Sequence, residues 1–170
     1  MFLIHKHSIV QRYSSQNNSF EKILACDIKE GDILRGYDII NSKYTKFKAV
    51  SKVVIPARII ELRTTSFEKI LISETTLLAS TKGVWNFRCP VNAVKLFKKP
   101  SVSNVLHTPK PLGSSFGEIA AFISIAAAEP DNTILVDDFV YVTEAWNGQQ
   151  IKGKSSNNLK ASVVTRLSKD

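Results

Sequence analysis

The sequence predicts a mainly β fold: a compact, curled β domain with one short helix inserted late in the chain. Short apolar runs of strand length recur between Phe20 and Cys89, and turn-forming residues separate them at regular intervals. β-branched and aromatic residues, which pack well on a pleated surface, are concentrated in these runs. The turn Glu30-Gly31-Asp32 joins two of them, because glycine can adopt a positive φ and aspartate can accept hydrogen bonds from nearby amides.

The predicted strands share apolar residues flanked by polar or charged ones, as in half-buried strands. They are FEKILACDI (20–28), DILRGYDII (32–40), TKFKAVSKVVIPA (45–57), RIIELRTT (58–65), EKILISETTLLAS (68–80) and GVWNFRC (83–89). Two later β-prone runs, TILV and FVYVT, surround Asp137-Asp138 and predict one bent strand or a hairpin. The closing KASVVTRLSK predicts a last strand.

The composition fits one globular domain. The chain has 170 residues and is 44% hydrophobic, which is enough to bury a substantial core. It carries 23 Lys plus Arg against 15 Asp plus Glu, a net charge of +8, which favours acidic partners such as nucleic acid or an acidic protein. The basic residues are dispersed along the chain, so an ordinary solvated surface also explains them.

The cysteine content and the first residues of the sequence predict the cellular compartment of the protein. Cys26 and Cys89 lack the spacing of a metal site and are too few for a disulfide framework, which favours a reducing, intracellular setting. The apolar run Met1-Phe2-Leu3-Ile4 is too short for a signal sequence or a membrane span. We therefore expect no membrane partner, and no pattern in the sequence predicts a cofactor.

Polar and proline-rich segments predict the organisation of the chain. Residues 11–19, QRYSSQNNS, are rich in Ser and Asn, so residues 1–19 are predicted to be an N-terminal arm and linker. Residues 20–170 then form a single β domain. Within it, residues 98–117 hold three prolines with several Ser, Asn and Gly residues, and are predicted to be a long connector.

The late helix is predicted over residues 115–128. Ser115 and Glu118 have the spacing of a capping box, and EIAAFISIAAA places apolar residues at helical intervals before Pro130. The segment is apolar almost all round, which predicts that the helix is buried against the sheet or a partner.

Three segments resemble one known family. FEKILACDIKEGDILRG resembles the segment that follows the first catalytic residue of Hint domains, the hedgehog and intein fold, where members carry a similar I-x-D-I/L-x-x-G-D phrase. IIELRTTSFEKILISETTLLASTKGVW resembles the strand, hairpin and Thr-x-x-His region of the family, and TILVDDFVYVT resembles its late strand pair. The resemblance covers residues 20–97 and 132–146, and it implies a Hint-like fold.

The resemblance also implies which reaction residues are missing. The family's self-processing uses a nucleophilic Cys or Ser at the start of the domain, a His that activates the peptide bond, and often a terminal Asn. Within Ser73-Glu74-Thr75-Thr76, the position of the His is occupied by Thr76, whose hydroxyl cannot protonate a leaving amine near neutral pH as imidazole can. Thr76, Ser73 and Asp32 therefore mark a degenerate family site, and we predict no catalytic residue and no enzymatic activity.

The function predicted on these grounds is a non-catalytic Hint-like module for binding or assembly, with a phage or viral virion or tail component as its setting. Its partners would be other proteins or further copies of the chain. One alternative is nucleic-acid binding, because Lys46, Lys48, Trp85 and Arg88 interleave bases with aromatic residues. Residual self-processing is the other alternative.

Two clusters could in principle hold a metal ion. His5 and His7 occupy alternate positions, which share one face of a strand, and Asp137-Asp138 follow the acidic residues Glu129 and Asp131. Neither gives a full ligand set, because no third ligand lies near the histidines and adjacent aspartates on a strand point to opposite faces. The sequence therefore predicts no metal site.

Overall fold

The computed structural model describes residues 1–89, 91, 94–99, 102–104, 110–111, 118–127, 133–144 and 146. In this part of the chain the regular elements are strands and one short 3-10 turn, Ala25–Asp27. The strands are β1 (Phe2–His5), β2 (Ile9–Ser14), β3 (Ser19–Leu24), β4 (Ile33–Asp38), β5 (Lys43–Arg58), β6 (Ile60–Arg63), β7 (Lys69–Ile72), β8 (Leu77–Ser80), β9 (Gly83–Trp85), β10 (Lys95–Phe97), β11 (Val102–Asn104), β12 (Lys110–Pro111), β13 (Ile119–Ala127), β14 (Ile134–Val136) and β15 (Phe139–Val142). The prediction of a mainly β fold is confirmed.

The strands form three antiparallel sheets. The first has the order β1-β13-β5-β4-β2-β3, the second has the order β11-β10-β8-β15-β14 with β9 beside β8, and the third has the order β12-β6-β7. The long strand β5 holds the first sheet together, because residues 43–48 pair with β4 and residues 49–58 pair with β13. Its register with β13 shifts at Val50, which is the extra residue of a bulge between Ala49 and Ser51.

The core divides into two apolar clusters that share β15. Phe139 and Tyr141 belong to the larger cluster, whereas Val140 and Val142 belong to the smaller one. All four side chains of β15 are therefore buried, which explains why its sequence is a continuous apolar run and does not alternate. The larger cluster also contains Phe2, Leu34, Phe47, Leu78 and Trp85, and the smaller one contains Tyr37, Ile39, Ala79, Phe97 and Leu135.

The predicted arm at residues 1–19 is wrong. This segment forms β1 and β2, and β1 pairs with β13 from Phe2 opposite Ile125 to His5 opposite Phe122. The side chains of Phe2, Ile4 and Val10 are buried in the larger cluster. Of the polar residues 11–19 taken for a linker, 11–14 belong to β2 and Ser19 begins β3, and residues 15–18 form the solvent-exposed turn of the β2–β3 hairpin, where Asn18 adopts a positive φ.

The predicted helix at residues 115–128 is also wrong. Residues 119–127 form β13, which lies between β1 and β5, and Phe122–Ile125 are buried. A strand covered on both faces needs apolar residues at every position, and such a run cannot be told from a buried helix by its periodicity. The predicted capping box at Ser115 lies outside the described residues.

Of two other predicted segments, the structure describes one in part and the other not at all. Within the predicted connector at residues 98–117, residues 102–104 and 110–111 form β11 and β12. The predicted last strand, KASVVTRLSK, lies outside the described residues. No helix in the described part of the chain is both long and apolar enough to cross a membrane.

The Asp137-Asp138 pair forms the tight turn between β14 and β15, where Val136 pairs with Phe139. Both aspartates have positive φ, 51° and 68°, as a two-residue hairpin loop of type I′ requires. The backbone N–H of Ile9 donates to Asp137 Oδ1 at 3.0 Å, so the turn also holds the start of β2. The hairpin alternative of the sequence prediction is confirmed.

Burial of Asp137 predicts a pH effect. Desolvation raises the pKa of the Asp137 carboxyl, although the Ile9 hydrogen bond works in the opposite direction. The pKa of Asp137 is therefore higher in the native state than in the unfolded state. Such a group contributes stability at pH values below its unfolded pKa, and this contribution is lost as the pH rises through its native pKa. Asp137→Asn keeps an oxygen for Ile9 and removes the buried charge, so we expect its Tm at pH 7 to exceed that of the parent by about 2–4 °C, equivalent to ~1 kcal/mol.

Thermal unfolding followed by circular dichroism from pH 7 to pH 3 measures this effect. The difference in Tm between Asp137→Asn and the parent chain should close as the pH falls. Asp138→Asn is the control for the loss of one carboxylate from the same turn. A Tm difference for Asp137→Asn that stays constant over the whole range would contradict the assignment to Asp137 ionisation.

Candidate functional site

A cavity of about 440 Å³ lies where β1, the turn before β8 and the end of β15 meet. Residues from these three segments line it, and they are Met1, Phe2, Leu3, Thr75, Thr76, Leu77, Tyr141, Val142, Thr143 and Glu144. The cavity therefore joins two of the segments that resemble Hint domains, the Thr-x-x-His region and the late strand pair, to β1.

The turn from Ser73 to Thr76 is closed by its own hydroxyl groups. The Ser73 backbone N–H donates to Thr76 Oγ1 at 3.0 Å, the Thr75 N–H donates to Ser73 Oγ at 3.2 Å, and the Thr76 N–H donates to the Ser73 carbonyl at 3.2 Å. The hydroxyl oxygens of Ser73 and Thr76 are 3.0 Å apart, and both side chains are buried. These hydroxyls fix the shape of the turn.

Thr76 also contacts the first strand. Its Oγ1 lies 3.4 Å from the carbonyl oxygen of Leu3, to which it can donate. This contact ties the turn to β1 inside the cavity. Thr76, which the sequence resemblance predicts at the position of the family's His, therefore has a hydroxyl surrounded by structural hydrogen bonds. The strand beside it presents Phe2 and Leu3, whose side chains carry no nucleophile.

The end of β15 contributes polar groups that lack partners. The hydroxyl oxygens of Tyr141 and Thr143 are buried, and neither has a hydrogen-bond partner among the described residues. Desolvation raises the pKa of the Tyr141 phenol, so this group stays neutral at physiological pH. Glu144, by contrast, is exposed. The cavity thus offers two unpaired hydroxyls and a solvent-accessible carboxylate.

The described residues that line the cavity include no thiol and no imidazole. His5, two residues beyond Leu3, is buried elsewhere, with its ring edge-on to Phe122 at 5.4 Å between centroids. Its pKa is lowered, first by desolvation and then by the charges of His7 and Lys6, which favours neutral imidazole. The chemistry available in the cavity is hydrogen bonding and one carboxylate.

Asp32 and the Glu30-Gly31-Asp32 turn lie apart from this cavity. Asp32 Oδ2 accepts a hydrogen bond from the Lys29 N–H at 2.8 Å and lies 3.5 Å from the Arg12 guanidinium. Gly31 has a φ of 90° and donates its N–H to the Ala49 carbonyl. The predicted role of these two residues in fixing the corner is confirmed, and Asp32 does not line the cavity.

The residues predicted to contact nucleic acid lie on different sheets. Lys46 and Lys48 are exposed on β5 of the first sheet. Trp85 is only 2% exposed, in the core beside β8, so its predicted availability for base stacking is wrong. Arg88 is exposed, lies 4.5 Å from the Phe87 ring centre and is 3.8 Å from Glu74. The four residues therefore do not form one surface.

Among the described residues, neither of the two possible metal clusters gains a full ligand set, and Glu129 and Asp131 lie outside the described residues. His5 Nδ1 accepts the backbone N–H of His7 at 3.2 Å, so the nearer imidazole is partly used inside the chain. Asp137 and Asp138 form the hairpin turn described above. In the described part of the chain, no three His, Cys, Asp or Glu side chains are grouped so that they could hold a metal ion.

Solved structures with the same architecture identify the fold. Over 83% of this chain and 98% of the other, it matches a variant of the gp41-1 intein, with a TM-score of 0.62 and 14% identity. A DnaB intein from Synechocystis sp. PCC 6803 gives a TM-score of 0.63 with 9% identity over 84% of this chain and 98% of the other. A bacterial intein-like domain from Clostridium thermocellum gives 0.64 with 14% identity over 85% and 99%.

These matches define the class of protein: the chain has the Hint fold of inteins and intein-like domains over most of its length. The resemblance noted in the sequence is confirmed at the level of fold. No family model and no curated protein matches the chain. At 9–14% identity the likeness establishes architecture alone, so function has to be argued from the residues of the site.

Proposed function

We propose that this protein is a Hint-fold binding module that does not process itself. The observation that carries the proposal is the lining of the cavity. The sequence resemblance predicts an imidazole at the position of Thr76 and a nucleophile at the start of the domain, whereas the cavity of this chain is lined by Thr76 beside Phe2 and Leu3. Peptide-bond rearrangement requires a nucleophile and a group that protonates the leaving amine, and hydroxyl groups engaged in structural hydrogen bonds supply neither efficiently.

The Thr76 hydroxyl has a structural role in this proposal. It accepts the buried N–H of Ser73 and contacts the Leu3 carbonyl, so it holds the turn against β1. Removing it leaves a buried N–H unpaired, which costs ~1–3 kcal/mol. Thr76→Val keeps the shape of the side chain and is therefore the informative variant.

Intact mass spectrometry tests the proposal. We expect the purified chain to keep its full mass after prolonged incubation with thiol at neutral pH, and Thr76→Val to keep its full mass as well while unfolding at a lower temperature. Thr65→Val, at an exposed threonine outside the cavity, is the matched control for stability. Fragments that accumulate in the parent chain and are absent from Thr76→Val would overturn the proposal and identify residual self-processing.

For assembly, we propose that two copies associate through the free edge of β5. Beyond Ala49 the described strands pair with β5 on one side only, through β13. Val50, Val53 and Val54 along this segment are 48%, 55% and 59% exposed. An exposed apolar edge is a template for pairing with another strand. Pro56 lacks an N–H and limits the pairing to the residues before it.

Light scattering across micromolar concentrations tests this assembly. We expect the apparent mass to rise with concentration, and Val54→Lys to reduce the rise because a charge would be placed in the apolar contact. Val84→Lys, on β9 of the second sheet, is the control for adding a lysine to a partly exposed valine. A parent chain that remains monomeric throughout would contradict self-association. The virion setting stays a prediction, which the genes beside this one would test.

A further inference from the structure

One face of the first sheet carries alternating cations and aromatic rings. We call it the basic–aromatic face and define it by Tyr13, Phe20, Arg35, Tyr44 and Lys46, which come from four neighbouring strands. The guanidinium carbon of Arg35 lies 4.4 Å from the centre of the Phe20 ring and 3.9 Å from that of Tyr44. Lys46 Nζ lies 4.7 Å from the Tyr13 ring centre and 5.9 Å from that of Phe20. These contacts place all five side chains together.

The alternation of the strands turns this face away from the larger core cluster, and it borders the smaller cluster at Tyr37. Leu34 and Phe47, the sequence neighbours of Arg35 and Lys46, are buried in the larger core cluster. Successive side chains of a strand point to opposite faces, so Arg35 and Lys46 lie on the side away from that core. Tyr44 is 45% exposed, so its ring is accessible to a ligand on this face.

The face is positively charged and its cations are not neutralised. Lys48 is exposed two residues after Lys46, and Lys99 Nζ lies 5.1 Å and 5.2 Å from the ring centres of Tyr37 and Tyr44. Within the described residues, no carboxylate lies within 4 Å of Arg35, Lys46, Lys48 or Lys99, and every ion pair of the described chain involves other residues.

Carboxylates do lie at one border of the face. Asp137 and Asp138 share a cavity of about 210 Å³ with Gln11 and Lys22. Asp137 Oδ1 accepts the Ile9 N–H, so this carboxylate is engaged by the backbone at the hairpin turn. Because Asp137 and Asp138 lie at this border, the positively charged surface is confined to the part of the sheet around Arg35 and Lys46.

We propose that the basic–aromatic face binds single-stranded nucleic acid. Lysine and arginine would contact the phosphates, and bases would stack on Tyr44 and on the rings of Tyr13 and Phe20, which is how sheet surfaces bind single strands. The proposal goes beyond the proposed binding module, because it names a partner, and it does not depend on whether the chain cleaves itself.

The aromatic rings decide which anionic partner fits. An acidic peptide would be attracted by the lysines but has no planar groups that need Tyr13, Phe20 and Tyr44. A duplex presents phosphates outside and keeps its bases stacked on one another, so it cannot use the rings without being opened. A single strand can use both the cations and the rings, and is therefore the ligand to which the face is most complementary.

Fluorescence anisotropy with labelled 20-nucleotide oligo(dT) and oligo(U) tests the proposal on the full chain. We expect binding at low salt. The logarithm of the binding constant should fall linearly with the logarithm of the salt concentration, because binding releases counterions. For Lys46→Gln with Lys48→Gln, the slope should decrease by about 0.7 for each lysine that contacts a phosphate. Lys82→Gln with Lys95→Gln, at exposed lysines of the second sheet, should leave the slope unchanged.

Substitution of Tyr44 separates stacking from charge. Tyr44→Ala should weaken binding by about 5- to 100-fold, the range that the loss of one stacked base gives, and Tyr44→Phe should retain binding because the ring remains. Circular dichroism and Tm confirm that both variants fold. Since Tyr44 carries no charge, the salt slope of Tyr44→Ala should equal that of the parent chain.

Competition distinguishes the other possible partners. Equal competition by a duplex of the same length would overturn the proposal in favour of unspecific attraction to phosphate. Equal competition by polyglutamate would overturn it in favour of an acidic protein partner. Absence of binding at low salt, or identical affinities for Tyr44→Ala and the parent chain, would also overturn it.

Discussion

Gly36→Ala is expected to lower the free energy of unfolding by ~3 kcal/mol or more, as overpacking at a rigid site does. A Cβ atom built on Gly36 would lie 2.3 Å from the backbone oxygen of Thr133 and 2.7 Å from the Thr45 hydroxyl. Real Cβ atoms do not approach backbone oxygen that closely, so the chain entering β14 would have to move. That chain is held by two hydrogen bonds between the Thr133 hydroxyl and the Tyr37 backbone.

Urea unfolding followed by tryptophan fluorescence measures this change. Gly31→Ala is the matched comparison, because a Cβ there would meet nothing within 4 Å and only its φ of 90° is unfavourable for alanine. We expect Gly31→Ala to cost ~1 kcal/mol and Gly36→Ala to cost clearly more. If the two variants are equally stable, Gly36 is not needed for close approach of β14 to β4.

Phe122→Ala is expected to destabilise the chain by ~3–5 kcal/mol, the usual cost of deleting a buried phenyl ring. Phe122 is 0% exposed at the centre of β13 and its ring packs against His5 of β1. The change would open a void between the first strand and the late strand that pairs with it. Thermal unfolding should show a large decrease in Tm.

Ile119→Ala is the control for Phe122→Ala on the same strand. Ile119 is 60% exposed, so its truncation should change the free energy of unfolding by less than ~0.5 kcal/mol. Comparison of Phe122→Ala with Ile119→Ala also tests whether residues 119–127 form a strand or a helix. In the helix predicted from the sequence, both residues would have lain on the buried helical face, and similar losses for the two would contradict the strand observed here.

Local pattern predicted the fold class and most strands from Phe20 onward, because those strands carry their own alternation and turn residues. The local pattern did not predict β13 and β1 as strands, because these two segments pair with each other across the chain. Phe122 and Ile123 look helical among alanines, and they form a strand because β1 and β5 pair with both edges. β1 in turn looks like the start of an arm until its partner, more than a hundred residues away, is known.

The candidate site was predictable only in part. Thr76 was located through a resemblance, since nothing in a short run of hydroxyl residues marks a site. Leu3, Tyr141 and Thr143 were missed because the three segments that line the cavity come together only in the fold. The buried hydroxyls of Tyr141 and Thr143, which have no hydrogen-bond partner among the described residues, carry no sequence signal, because their burial depends on segments that are distant in the chain.

The basic–aromatic face was likewise predictable from the sequence only in part. Lys46 and Lys48 were singled out from the sequence, because they alternate with Tyr44 and Phe47 along one strand. Phe47 turned out to be buried, and the rings beside Lys46 come from β2 and β3. Arg35 carried no signal of its own, since a lone arginine in a strand is ordinary and its two aromatic neighbours are distant in sequence.

The pairing of β1 with β13 has a consequence for synthesis of the protein. As the ribosome makes the chain, Phe2 and Ile4 emerge long before the strand that covers them, which contains Phe122–Ile125. Until then the nascent chain carries an unfinished sheet with apolar side chains in water. Such species are prone to aggregate, and closure of a long loop slows folding. We expect the yield of native protein to depend on translation speed and on chaperones during that interval.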